Sequence, residues 1–137
     1  MSHYNSIKTE IRDPACLVTA LETLGFTPRV SETAQPLEGY MGDKRKQTAE
    51  IIIPRRQVGD ASNDIGFKRR EDGVFAAIIS DHDRHRYDDK WLAKLKTEYG
   101  TAKVIRLAQR TYGCAKPVVK EIKTAKGTQR VLTFTVN

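Results

Sequence analysis

The stretch Asn63-Asp64-Ile65-Gly66-Phe67-Lys68-Arg69-Arg70-Glu71-Asp72-Gly73-Val74-Phe75-Ala76-Ala77-Ile78-Ile79-Ser80-Asp81 decides the fold. Asp72-Gly73 is a turn signal with an apolar run on each side, which is the pattern of a β-hairpin. The spacing predicts strands near 64–69 and 74–80, with Ile65, Phe67, Phe75 and Ile79 turned into the core and Lys68-Arg69-Arg70 at the tip.

Working backwards, Thr48-Ala49-Glu50-Ile51-Ile52-Ile53 reads as a strand stopped by Pro54. Gln57 to Asn63 reads as a polar loop. Thr33 to Gln47 contains Pro36, Gly39 and Gly42, so mostly loop is expected there, with Asp43-Lys44-Arg45-Lys46-Gln47 as a turn tip. Nearer the start, Ile7, Thr9 and Ile11 alternate as in a half-buried strand. Asp13-Pro14 then opens a helix, since Asp13 can accept from first-turn amides and Pro14 suits the first helical position. Leu17, Ala20, Leu21 and Leu24 form its apolar face, and Gly25 closes it.

Working forwards, Asp81 to Asp89 reads as a charged loop, with Asp88-Asp89 capping the helical stretch 88–112. Trp91, Leu92, Leu95 and Tyr99 share one face of that stretch, whereas Val104, Ile105, Ala108 and Tyr112 point nearly opposite. A break at Gly100 is the simpler expectation. A last hairpin is expected over Lys116–Thr124 and Thr128–Val136, with Leu132, Phe134 and Val136 on one side. Hairpins dominate and no βαβ unit appears. The expected fold is therefore α+β, a single domain over 1–137, with a mainly antiparallel sheet and two or three helices packed on one face.

Composition narrows the function classes. The chain has 137 residues, 39% hydrophobic and 30% charged, an ordinary globular balance. No run is long enough to span a bilayer, and the start Met1-Ser2-His3-Tyr4-Asn5-Ser6 lacks a basic segment followed by an apolar core. A cytoplasmic protein with no membrane partner is expected. Cys16 and Cys114 lack CxxC spacing and read as reduced structural thiols. The net charge is +7 and uneven: residues 1–64 carry 8 Lys/Arg against 9 Asp/Glu, residues 65–137 carry 16 against 8. Such asymmetry points to an anionic partner.

Catalytic signatures are absent. His82 and His85 have metal-ligand spacing, but Arg84 and Arg86 beside them repel a cation. Cys114 or Ser80 with these histidines matches no nucleophile elbow or triad. Neither GxxxxGK[ST] nor GxGxxG occurs. No catalytic residue, metal or cofactor is expected, and the protein reads as not an enzyme. The basic set is the sharpest candidate site for an anion or partner: Lys68, Arg69 and Arg70 at the hairpin tip, Arg84 and Arg86 after it, and Lys103, Arg106 and Arg110 along one helix face, with Tyr87 or Tyr112 to stack.

The start Met1-Ser2-His3-Tyr4, the pieces Gly39-Tyr40-Met41-Gly42, Asp64-Ile65-Gly66-Phe67 and Asp72-Gly73, and Trp91-Leu92 with Leu95 and Tyr99 resemble an uncharacterised family. It is named for hypothetical chloroplast reading frame thirty-five and occurs in plastids, cyanobacteria, other bacteria and phages. The likeness runs over nearly the whole chain; Lys44-Arg45-Lys46 and His82-Asp83-Arg84-His85-Arg86 depart from it as basic insertions. The resemblance implies a domain of unknown function near a ferredoxin-like protein and an AAA-type ATPase, hence an accessory or adaptor role, and carries over no site residue. The expected function is a small non-enzymatic adaptor that binds a partner protein through the basic surface of residues 65–137. The alternative is an anionic ligand, nucleic acid or nucleotide, including a phage-encoded form that inhibits a host defence system.

Overall fold

The computed structural model describes residues 3–113 and 117–134. Its strands are β1 Tyr4–Lys8, β2 Arg29–Glu38, β3 Lys44–Ile53, β4 Ile65–Arg69, β5 Phe75–Ser80, β6 Val118–Thr124 and β7 Gly127–Thr133. The helices are α1 Pro14–Thr23, α2 Arg55–Val58 and α3 Asp89–Tyr112, with a 3-10 turn at Asp83–His85. The first five strands form one antiparallel sheet in the order β1-β5-β4-β3-β2, and β6 and β7 form a second sheet. The fold is α+β, as the hairpin pattern predicts. It divides into two compact units, Met1–Tyr99 and Gly100–Asn137.

In the first unit, β5 is an inner strand, paired with β1 and β4 and buried on both faces. Phe75, Ala77 and Ile79 face the helices, and Ala76 and Ile78 face the other side. A strand buried on both faces reads as a continuous apolar run, which is what Val74 to Ile79 shows. On the helix side, Leu17, Ala20 and Leu21 of α1, Val58 of α2, and Leu92 and Leu95 of α3 join Ile51, Ile53, Ile65 and Phe67 of the sheet. Ile65, Phe67, Phe75 and Ile79 are core, as expected. Asp13 caps α1, its Oδ1 accepting from the N–H groups of Ala15 and Cys16. Gly25 ends α1 at φ 96°, a left-handed conformation that suits glycine. Asp88 caps α3 through the Trp91 N–H at 3.0 Å.

Three expectations are corrected. Residues 33–47 are mostly strand, not loop: β2 and β3 form a long hairpin whose turn spans residues 39–43, and Lys44, Arg45 and Lys46 open β3. Pro36 is tolerated because β2 is an edge strand, where a missing N–H need not break a ladder. Residues 57–63 are not a free polar loop, because α2 buries Val58 and the chain then buries Ser62 and Asn63. Finally, α3 runs through Gly100 unbroken. The expected break assumed that the whole second face needed burial, yet of that face Val104 is 44% exposed and Ile105 only partly covered, with Ala108 alone buried among its described side chains. Without that demand, one glycine is tolerated inside a helix for about 1 kcal/mol.

The β2–β3 hairpin does not continue flat. Ile51, Ile52 and Ile53 pair with Phe67, Gly66 and Ile65, so a straight β3 would carry Ala49 and Thr48 past Lys68. Instead the Lys68 Nζ donates to Thr48 Oγ1 at 3.0 Å, and the Asp64 N–H donates to the Glu38 carbonyl at 2.9 Å. Beyond Glu50 the hairpin turns back over the second face of the sheet. A bulge permits the bend: Val30 pairs with Ile51 but Gln35 with Ala49, five steps on β2 against two on β3. The returning half lays Leu37 and Ala49 on Ile52, Ala76 and Ile78 as a second small core.

Gly66 is where the layers touch. A Cβ there would lie 2.7 Å from the Ala49 Cβ and 2.9 Å from Leu37 Cδ2. Gly66→Ala is expected to lower unfolding stability by about 1–3 kcal/mol, read by denaturant titration, because a methyl against Ala49 has no flexible neighbour to displace. Gly100 is the reverse case, with open space around an added Cβ. Gly100→Ala is expected to raise the thermal midpoint, by a free energy of about 0.5–1 kcal/mol.

Candidate functional site

Three stretches distant in sequence meet beside the start of β4. The Asp64 carboxylate accepts the Glu38 N–H at Oδ2 (2.8 Å) and the Arg55 N–H at Oδ1 (2.7 Å). Its carbonyl accepts the Tyr4 hydroxyl at 2.8 Å. Asn63 accepts the Tyr40 N–H through Oδ1 and donates through Nδ2 to Ser80 Oγ, both at 3.0 Å. Asp83 Oδ2 accepts the Asn63 N–H at 3.0 Å and the Ser80 hydroxyl at 2.8 Å. Asn63, Asp64, Ser80 and Asp83 are all buried. The quoted pieces containing His3-Tyr4, Gly39-Tyr40-Met41-Gly42 and Asp64-Ile65-Gly66-Phe67 therefore meet in space.

The electrostatics follow from burial. Desolvation raises the Asp64 carboxyl above its usual value, against the lowering effect of the Glu38 and Arg55 amides. Tyr4 is pushed up by burial first and by the Asp64 charge second. Among the described residues no buried side-chain N or O lacks a partner. The oxygens of this network are thus occupied by the protein's own donors, and its arrangement holds chain segments together. Sequence reading missed the network because its partners lie 26 and 60 residues from Asp64. The one local signal is a pair of amide and acid side chains directly before a buried run.

The basic candidates are placed separately. Lys68 and Arg69 are the last residues of β4 and Arg70 opens the turn. Lys68 is held by Thr48, the Arg69 guanidinium sits 5.2 Å over the Phe75 ring, and Arg70 pairs with Asp72 at 3.6 Å. The Val74 N–H lowers the Asp72 carboxyl. Arg84 and Arg86 lie beyond the other end of β5, so a strand length separates them from the Lys68–Arg70 turn. Arg84 pairs with Asp89 at 2.9 Å and donates to the Tyr87 carbonyl, while Arg86 lies 5.8 Å over the Tyr87 ring. Lys103, Arg106 and Arg110 belong to the second unit, on α3.

Tyr87 does not stack outward as expected: it is buried, its hydroxyl donates to the Val58 carbonyl at 2.8 Å, and its ring packs on Trp91 at 4.9 Å. Trp91 also meets Phe26 and packs, partly buried, against the core. The Tyr112 side chain, Cys114, Lys116 and Val136 lie outside the described residues. His82 and His85 are exposed, and among the described residues no group of three or more His, Cys, Asp or Glu gathers to hold a metal.

The second unit carries a different kind of surface. Cross-strand pairing sets Val119, Glu121 and Lys123 with Leu132, Arg130 and Thr128 on one face of β6–β7. On that face Arg130 donates to Thr101 Oγ1 at 3.0 Å and to Glu121 at 3.2 Å, and Leu132 is half-buried. The opposite face presents Val118, Ile122 and Val131 around Lys120, the three apolar residues 60%, 48% and 39% exposed. Residues 100–137 hold 8 Lys/Arg against one Asp/Glu, and residues 1–99 hold 16 against 16. The entire +7 of the chain therefore falls in the second unit. Among the described residues no helix is long and apolar enough to cross a membrane.

Against known proteins, a family model described as a protein of unknown function (DUF1257) matches residues 20–132. No curated protein and no solved structure matches the chain.

The Asp64 clamp has a measurable signature. Asp64→Ala leaves two amide donors without their acceptor and is expected to lower stability by about 2–4 kcal/mol in denaturant titration. The pH dependence has a definite sign. A carboxyl whose pKa is raised by folding binds its proton more tightly in the native state, so its contribution falls as pH rises from about 4 through the folded pKa. Unfolding curves across that window are expected to show this decline in the natural chain and to lack it in Asp64→Asn.

Proposed function

For this chain, which belongs to the family of proteins of unknown function DUF1257, we propose a non-enzymatic accessory role: of the basic half 65–137, it is the unit Gly100–Asn137 that binds an acidic partner protein. The observation that carries this reading is the coincidence of the whole net charge with a hairpin whose Val118, Val119, Ile122 and Val131 are exposed. Exposed aliphatic residues around a lysine suit a protein surface, where apolar burial supplies affinity and charge supplies orientation and rate. The Lys68–Arg70 turn belongs to the first unit and is a weaker candidate by itself, since each of its three side chains already has an internal contact.

We further propose that this family is the one named for hypothetical chloroplast reading frame thirty-five. Relatives in plastids, cyanobacteria and phages, with a ferredoxin-like protein and an AAA-type ATPase encoded nearby, suit an adaptor that works in the cytoplasm on another protein. The charge density of residues 100–137 favours a second reading, binding of nucleic acid or a nucleotide, with a phage-encoded inhibitor as one form of it.

The two readings separate on salt and on apolar residues. The immobilised full chain is expected to retain an acidic protein from nuclease-treated extract at about 150 mM salt. Val118→Ser with Ile122→Ser, and Lys120→Glu with Lys123→Glu, are each expected to weaken that retention about tenfold or more. Retention that vanishes with nuclease, or duplex DNA binding that falls steeply with salt and ignores the valine and isoleucine changes, would transfer the role to nucleic acid. Retention unaffected by either pair of substitutions removes the surface assignment.

A further inference from the structure

The bend in the β2–β3 hairpin leaves a hollow of about 290 Å³ in the first unit, lined by Pro14, Val30, Ser31, Glu32, Glu50, Ile51, Arg69 and Phe75. Its accessible apolar wall is Pro14 and the exposed Val30, backed by Ile51 and Phe75, which are almost fully buried. Its polar part is charged with both signs. The Arg69 guanidinium stands over the Phe75 ring, and the Glu50 Oε1 accepts the Arg69 backbone N–H at 3.0 Å, which fixes that carboxylate against the Arg69 main chain. Glu32, from the bulged segment of β2, adds a second carboxylate.

We infer that this hollow binds a free α-amino acid with an apolar side chain. A volume at the lower limit of ligand pockets suits a molecule of amino-acid size and is too small for a nucleotide. The carboxylate of the ligand pairs with Arg69, whose planar fork matches it. Its ammonium faces Glu50 and Glu32, and its side chain lies against Pro14 and Val30, the lining apolar residues that are not buried. Two carboxylates against one guanidinium disfavour a simple anion, and the apolar floor disfavours a metal ion. The bulge that lets the hairpin fold back is thus also what opens the site, a common use of bulges. This inference is independent of the partner-binding role of residues 100–137.

The test is calorimetric titration of the full chain with L-leucine, L-phenylalanine, glycine, N-acetyl-leucine and leucinamide. Saturable binding of leucine or phenylalanine is expected at concentrations up to about 10 mM, with glycine, the acetylated form and the amide each about tenfold weaker or more. Arg69→Gln and Glu50→Gln are expected to weaken leucine by a similar factor while keeping the circular dichroism spectrum. The charge-reversed chain Lys120→Glu/Lys123→Glu is expected to bind leucine unchanged. Absence of saturable binding by either apolar amino acid overturns the inference. So does equal binding of the acetylated and amide analogues, which needs no variant to fold.

Discussion

The Asp64 carboxylate holds the first unit in its shape. Its two oxygens take the amides of Glu38 and Arg55, one at the far end of β2 and one at the start of α2. Its own main chain ties in Tyr4 of β1 and the Glu38 carbonyl. A buried carboxylate is costly unless its lone pairs are filled, and here two backbone amides fill them, with the Arg29 charge also favouring the ionised form. The result is a directional anchor at one point of the sheet. From it follow the fold-back of the β2–β3 hairpin, the close approach of Ala49 and Leu37 to Gly66, and the hollow left at the crook.

What could be read from sequence alone was what is written locally. The hairpin at 65–80 was legible because turn and alternation sit within a few residues. Helix α1 was legible because Asp13, Pro14 and Gly25 act within one turn of its ends. Strand β2 was not, because its bulge breaks the two-residue period that marks a strand and Pro36 suggests a loop. The run of α3 through Gly100 was missed because periodicity reports which side chains are apolar and not whether they are covered. For the site, charge bias located the basic half of the chain, but not that Lys68–Arg70 and Arg84–Arg86 lie at opposite ends of a strand pair. Nor could it show that Asn63, Asp64, Ser80 and Asp83 form one network, since each bond joins separated segments.

The two units divide the physical labour of the chain. Residues 1–99 are charge-balanced and bury a core on both faces of their sheet. Residues 100–137 are strongly basic, and in their hairpin apolar side chains stay in water. Desolvation favours burying such side chains wherever a complementary surface is on offer. Charge of one sign selects which surfaces come close enough to do so.

The bulge and Pro36 in β2 have a consequence for aggregation. A sheet edge is a template on which any extended chain can add a strand, and an isolated sheet of this length would be open on both sides. Here β2 is kinked by its extra residues, interrupted by a residue without an N–H, and curled out of the plane. The other edge, β1, spans five residues and ends on Lys8. Neither edge offers the long flat row of unpaired groups on which fibrils grow.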